Sequence, residues 1–234
     1  LNNGGLFALQ VQLIGDFTAS EAAADDGDVF AYLFLAQQEV IHNHSYSYIL
    51  SSLVQKEKQD EVFDFWRTEP ILQERNDFVT NGYKEFAENA TVDHLLKSIV
   101  YDVILEGLFF YSGFAFFYYL ARNQKMVATS TMINYINRDE QLHVDLFVKI
   151  YKEVLKENPE ADTEELTQFV QDTFKKAAEL EIEWARYIIG DKVEGILLGD
   201  LEAYIKFYAN VRCNQLGYER PFEGYRTNPL KWIK

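Results

Sequence analysis

Glu39-Val40-Ile41-His42 and Glu140-Gln141-Leu142-His143 are two Glu-x-x-His tetrapeptides, each set in a long stretch of apolar residues at helical spacing. On an α-helix residues i and i+3 share a face, so each tetrapeptide can aim one carboxylate and one imidazole at a common point. One such pair arises readily by chance, as an acid–imidazole contact on a solvated face. Here two of them account for two of the only four His in the chain. Two such helices, joined by single acidic residues from two others, build the carboxylate-bridged dinuclear metal site of a helical bundle.

The rest of the chain agrees with an all-α fold. Only 4 Pro and 12 Gly occur in 234 residues, and long stretches lack both. That length suits one substantial core, so residues 1–234 are expected to form a single domain. A net charge of −15 repels phosphate backbones and anionic lipid, which argues against nucleic acid and membrane surfaces as partners. The single Cys213 rules out an intrachain disulfide framework and fits a reducing compartment, so a cytoplasmic location is expected. The most apolar segment, Leu105 to Leu120, carries Glu106 and is bounded by Asp102 and Arg122. It reads as a central buried helix rather than a membrane span.

Along the chain, residues 6–15 read as a short helix and residues 29–57 as a long one, with Glu39, His42, Tyr46 and Ile49 close to one stripe. Residues 60–89 form one helix or two, with a break near Pro70. Residues 93–122 and 125–157 read as two long helices, the second stopped by Asn158-Pro159. Further helices are expected over 163–189 and 197–216, followed by an extended tail over 217–234.

Glu106 adds a third element to the metal reading. It lies among Leu105, Leu108, Phe109, Phe110 and Phe114, where an ionised carboxylate is costly unless paired or bound to a cation. The competing reading is a salt bridge to Arg138. Carboxylate oxygens with one imidazole per metal suit iron or manganese, whereas structural zinc favours thiolates or more His. Tyr46, one turn after His42, is then the nearest oxidisable group, or else a packed core residue like many of the 15 Tyr.

These segments resemble the radical-generating small subunit of class I ribonucleotide reductase, a ferritin-like helical bundle. Glu39-Val-Ile-His42-Asn-His-Ser-Tyr46-Ser-Tyr-Ile49 is similar to the family's second-helix motif. Leu105-Glu106-Gly-Leu-Phe-Phe110-Tyr-Ser-Gly-Phe114 and Ile136-Asn-Arg138-Asp139-Glu140-Gln-Leu-His143 are similar to its third and fourth. Asn228-Pro-Leu-Lys-Trp232 resembles the end of its helical core. The resemblance implies that Glu39, His42, Glu106, Glu140 and His143 bind two iron or manganese ions and that Tyr46 is oxidised to a stable radical. It implies that Asp139 accepts a hydrogen bond from His42 and that Phe110, Phe114 and Ile136 shield the radical. It further implies a homodimer that lends the radical to a separate large catalytic subunit, which makes deoxyribonucleotides.

The family takes one more acidic ligand from a helix before Glu39. Here the candidate positions hold Ala8, Gln10 or Gln12, and no acid precedes Asp16. Three readings follow: Gln12 or Asp16 substitutes, the segment is displaced or incomplete, or fewer than two metals are well bound. A Trp upstream of the first ligand and a Tyr-bearing C-terminal tail have no counterpart, and the chain opens on Leu, so truncation at both ends is expected. The runner-up function is a ferritin-like di-metal oxygenase or oxidase acting on an apolar substrate, which needs a ligand-sized apolar pocket beside the metals. A third, iron storage, has no use for an aromatic sleeve around one Tyr.

Overall fold

The structure, a computed structural model, describes residues 26–190 and 192–233, so the expected helix over 6–15 and the Ala8, Gln10, Gln12 and Asp16 positions lie outside the described residues. Among the described residues all regular structure is helical. We label the helices α1 (Asp26–Leu53), α2 (Lys56–Thr68), α3 (Pro70–Glu88), α4 (Val92–Gly107), α5 (Tyr111–Arg122), α6 (Val127–Glu157), α7 (Glu164–Ile188) and α8 (Leu198–Leu216). A short 3-10 turn, Pro159–Ala161, links α6 to α7.

Helix α4 is the hub, packed against α3, α6, α7 and α8. Its sequence, Val-Asp-His-Leu-Leu-Lys-Ser-Ile-Val-Tyr-Asp-Val-Ile-Leu-Glu-Gly, is apolar on almost every side, as a helix surrounded by others requires. Thr91 caps its start, accepting from the His94 backbone N–H at 3.3 Å. Helix α6 buries Ile133, Ile136, Glu140, His143, Val144, Phe147 and Tyr151, a 3-4 spacing that lays one stripe along α4. Helix α1 packs on α6 through a narrow stripe of Leu35, Gln38, His42 and Ile49. The break expected near Pro70 falls between α2 and α3, with Pro70 in the first turn of α3, where its missing N–H costs nothing.

Two expectations fail. The helix read over 29–57 stops at Leu53, and Gln55, extended at ψ 147°, precedes a new helix from Lys56. Residues 93–122 are not one continuous helix: Leu108 leaves helical geometry at φ −138°, and Phe109 N–H donates to Ile104 C=O, one residue further back than an α-helix uses. Side chains from two other helices occupy the break. Arg75 of α3 donates to the Phe109 carbonyl, and Glu181 of α7 accepts from Ser112 Oγ at 2.5 Å while pairing with Arg75 at 2.8 Å. The stretch Val92–Arg122 is long and apolar enough to cross a membrane by length and composition. Here it supplies the central buried pair of the bundle.

The apolar interior has two parts. The larger surrounds α4, and the smaller joins Ile49, Tyr111, Phe114, Ile133, Ile136 and Tyr204. The tail after α8 folds back on the bundle: Asn210 donates to the Phe222 and Tyr225 carbonyls, and Leu230 is buried.

Candidate metal centre

The i, i+3 geometry of each Glu-x-x-His places its two side chains together, and the packing of α1, α4 and α6 brings the helices to one point. Ligand atoms of Glu39, Glu106, Glu140 and His143 all lie within 4.8 Å of one another. His42 joins them through Nδ1, 3.2 Å from Glu39 Oε1 and 3.3 Å from Glu140 Oε1. His143 Nδ1 lies 3.0 Å from Glu140 Oε2 and 3.5 Å from both Glu39 Oε1 and Glu106 Oε2. The two imidazoles, 5.9 Å apart at their centroids, thus flank three carboxylates.

Both imidazoles face the carboxylates with Nδ1 and turn Nε2 outward. His42 Nε2 lies 3.3 Å from Asp139 Oδ2, and His143 Nε2 lies 3.1 Å from Gln38 Oε1. An outward N–H held by an acceptor favours, once the ring is neutral, the tautomer that leaves Nδ1 with a lone pair for a metal. Gln38 is a residue that sequence reasoning missed, although it directly precedes Glu39 and lies one turn before His42. Asp102, one turn before Glu106 and buried, was missed in the same way. Its carboxylate accepts from Tyr83 at 2.6 Å.

The electrostatics describe a site short of positive charge. Burial first, then the charges of Glu140, Glu39 and Asp102, hold the Glu106 carboxyl well above the usual carboxylate range. Burial works against ionisation of Glu140 too, but hydrogen bonds from Glu106, His143 and His42 hold it down at about 2. His42 is raised to about 10, because Glu140 and Glu39 outweigh the burial that opposes its charge. Protons therefore do the neutralising. Glu106 Oε2 is buried without a hydrogen bond among the described residues, the condition of an oxygen suited to a cation. This donor set fits hard or borderline divalent metals of the iron and manganese kind.

Arg138 does not pair with Glu106; it is exposed and lies 3.3 Å from Asp139. Tyr46 is not the packed core residue of the competing reading either. The residue is 37% exposed, yet burial around its phenol, then Glu140, Glu39, Tyr118 and Glu106, push its pKa upward. It sits at the edge of the site with its hydroxyl in the carboxylates' field. Phe114 and Ile136 are buried and Phe110 half-buried in the smaller apolar cluster, Phe110 and Phe114 stacked at 6.1 Å. Ile49, one turn after Tyr46, belongs to that cluster.

Residues 9–229 match the family described as ribonucleotide reductase, small chain. The chain belongs to this family. Ribonucleoside-diphosphate reductase subunit beta of Halalkalibacterium halodurans is 56% identical over 232 residues, which cover 98% of this chain and 67% of that one. The subunit beta of Treponema pallidum is 39% identical over 200 residues, covering 85% of this chain and 57% of its own. This chain thus spans between about half and two thirds of these relatives' lengths. Among solved structures, a class I ribonucleotide reductase from Bacillus halodurans superposes with a TM-score of 0.89 at 56% identity, covering 98% of this chain and 81% of that one. A dimanganese(II) NrdF from Streptococcus sanguinis superposes with a TM-score of 0.77 at 25% identity, covering 94% and 74%. The three carboxylates and two imidazoles gathered between α1, α4 and α6 form a cluster that could hold metal ions.

Proposed function

We propose that this chain is the radical-generating small subunit of a ribonucleoside-diphosphate reductase, with two iron or two manganese ions held by Glu39, His42, Glu106, Glu140 and His143. The convergence of these side chains within a buried space, with Tyr46 in the same field, carries the reading. Bound there, two such ions would supply redox chemistry with dioxygen strong enough to take one electron from a phenol. Tyr46 gives up that electron together with its hydroxyl proton and is left as a neutral radical. Glu39, whose charge acts on the phenol, is the carboxylate at hand to take that proton. Asp139 and Gln38 hold the outward N–H of His42 and His143 and so aim both Nδ1 atoms inward. Phe110, Phe114 and Ile136 form an apolar cluster with Ile49, one turn beyond Tyr46.

The oxidising equivalent serves a large catalytic subunit that reduces ribonucleotides, in the cytoplasm. The small subunit pairs with a second copy of itself. An exposed apolar strip on α1, formed by Leu33, Phe34, Val40, Ile41 and Tyr48, supports that pairing. A cavity of about 510 Å³ is lined by residues such as Tyr118, Arg122 and Trp232, and none of the five proposed metal ligands borders it.

Loading the protein with iron(II) or manganese(II), admitting oxygen and recording electron paramagnetic resonance tests the proposal. A tyrosyl signal that Tyr46→Phe abolishes, with about two metals per chain by elemental analysis, is the expected result. A signal indifferent to Tyr46→Phe overturns the Tyr46 assignment. One metal or none per chain overturns the dinuclear site.

A further inference from the structure

An oxidant formed among 15 tyrosines must be prevented from spreading. Tyr111, five residues beyond Glu106 and fully buried, is a second phenol close to the metal centre. Its hydroxyl accepts hydrogen bonds from Arg212 Nη2 at 2.6 Å and from the side-chain amide of Gln141, the neighbour of Glu140. Behind it the ring of Tyr208 lies 4.2 Å away, centroid to centroid, and Tyr204 lies 4.9 Å from Tyr208. These rings are in contact, so an electron lost by Tyr111 could be replaced from Tyr208 and then Tyr204, drawing the oxidising equivalent away from Tyr46.

Arg212 stands across that route. Its buried guanidinium is fixed by the Gly107 carbonyl at 3.1 Å and by Gln215 Oε1 at 2.8 Å. It lies 5.4 Å from the ring centroids of both Tyr111 and Tyr208. A fixed positive charge beside a ring opposes removal of an electron from it, and burial strengthens the effect. Phenol oxidation also requires a home for the hydroxyl proton. The Tyr111 oxygen faces a guanidinium, which accepts no proton, and a carboxamide, which is no base in either orientation. Among the described residues no carboxylate is bonded to it.

We propose that Arg212, together with Gln141, confines the oxidising equivalent to Tyr46 by closing the Tyr111–Tyr208–Tyr204 route; this rests on Tyr46 being the radical site. In the step that is blocked, the Tyr46 radical takes an electron from Tyr111 and a proton from its surroundings and returns to a phenol. Tyr111 would lose that electron and pass its O–H proton to a base, and no base is there.

Gln141→Glu supplies the missing base with little change of shape and pairs with the Arg212 charge, while Arg212→Gln removes the charge. Full-length protein, metal-loaded and exposed to oxygen, is followed by the decay of the tyrosyl resonance and by peptide mass mapping of oxidised tyrosines. Each variant is expected to shorten the half-life of the Tyr46 signal by about tenfold or more, with oxidation marks appearing on Tyr111, Tyr208 or Tyr204. Tyr111→Phe in either background is expected to restore the half-life, which repair of a merely structural defect would not do. An unchanged half-life in Gln141→Glu at normal metal content, or no rescue by Tyr111→Phe, overturns the proposal even if Arg212→Gln does not fold. A wild-type protein with metal but no Tyr46 signal overturns instead the radical assignment on which it rests.

Discussion

Glu106 shows how one side chain can report the presence of a missing charge. Its carboxyl is buried, holds its proton against three neighbouring acids and leaves Oε2 without a hydrogen bond among the described residues. Replacing it by the neutral isostere therefore removes the cost of keeping that carboxyl protonated in the metal-free protein and a ligand from the metal-bound one. For Glu106→Gln we expect a thermal midpoint no lower than wild type without metal, and a rise on adding manganese(II) less than half as large. A full-sized rise would show that Glu106 does not bind metal. Gln38→Ala should weaken metal binding by about 10–100-fold through the unheld His143 ring, read by competition with a chromogenic chelator, and unaltered affinity would rule out that support. The clustering of Glu39, His42, Glu106, Glu140 and His143 was legible because i, i+3 spacing is a geometric fact of helices, and because a Glu in an apolar run is anomalous. Gln38 and Arg212 were not. An amide or a guanidinium leaves no such mark until the distant segments that meet it are known.

At the level of elements, the seam between α4 and α5 matters most, since Glu106 sits one residue before the end of α4 and Phe110 and Phe114 beyond the seam. The long helices were readable from apolar period, rare Gly and Pro, and stops such as Asn158-Pro159. The seam was not, because Leu108-Phe109-Phe110 contains no breaker and its opening depends on Arg75 and Glu181 arriving from α3 and α7. Burial pushes the Glu181 carboxyl up to about 7, with Arg75 and Ser112 offsetting only part of the effect. A carboxyl raised above its unfolded value of about 4.3 retains a proton that the unfolded chain releases. Its contribution to stability is complete below that value and is lost as pH rises through about 7. Glu181→Gln should flatten this decline, so that urea midpoints at acidic and alkaline pH lie closer together than in wild type. A wild-type slope in the variant would place the titration elsewhere. Nearby, Gly82 lets α3 approach α4: a Cβ there would stand 2.2 Å from the Tyr101 ring. Gly82→Ala should cost about 1–3 kcal/mol in urea unfolding, and a neutral outcome would mean that the ring can swing aside at no cost.

For the whole molecule, α1 poses a packing problem that the described residues do not solve. The helix buries Leu35, His42 and Ile49 against its own bundle, yet Leu33, Phe34, Val40, Ile41 and Tyr48 remain half or more exposed. On α6, the helix it packs against, Tyr135 and Leu142 are also exposed. A second copy placed on this strip would cover it and bring two carboxylate–imidazole clusters to either side of one interface, since Glu39 and His42 belong to the same helix. The charge of −15 on each chain opposes that pairing, so apolar burial has to outweigh a repulsion that salt screens. Two outcomes follow for sedimentation equilibrium. Wild-type protein should run at twice the chain mass and dissociate less at about 0.5 M than at about 0.05 M salt, because the Debye length shrinks several-fold over that range. Ile41→Asp, which adds a charge to the middle of the strip and leaves the inward face of α1 untouched, should run at the single-chain mass with its helical circular dichroism preserved. A wild-type protein that sediments as a single chain at both salt concentrations would show that the strip serves some other partner, and a dimer that loosens in high salt would show that ion pairs rather than apolar contacts hold it.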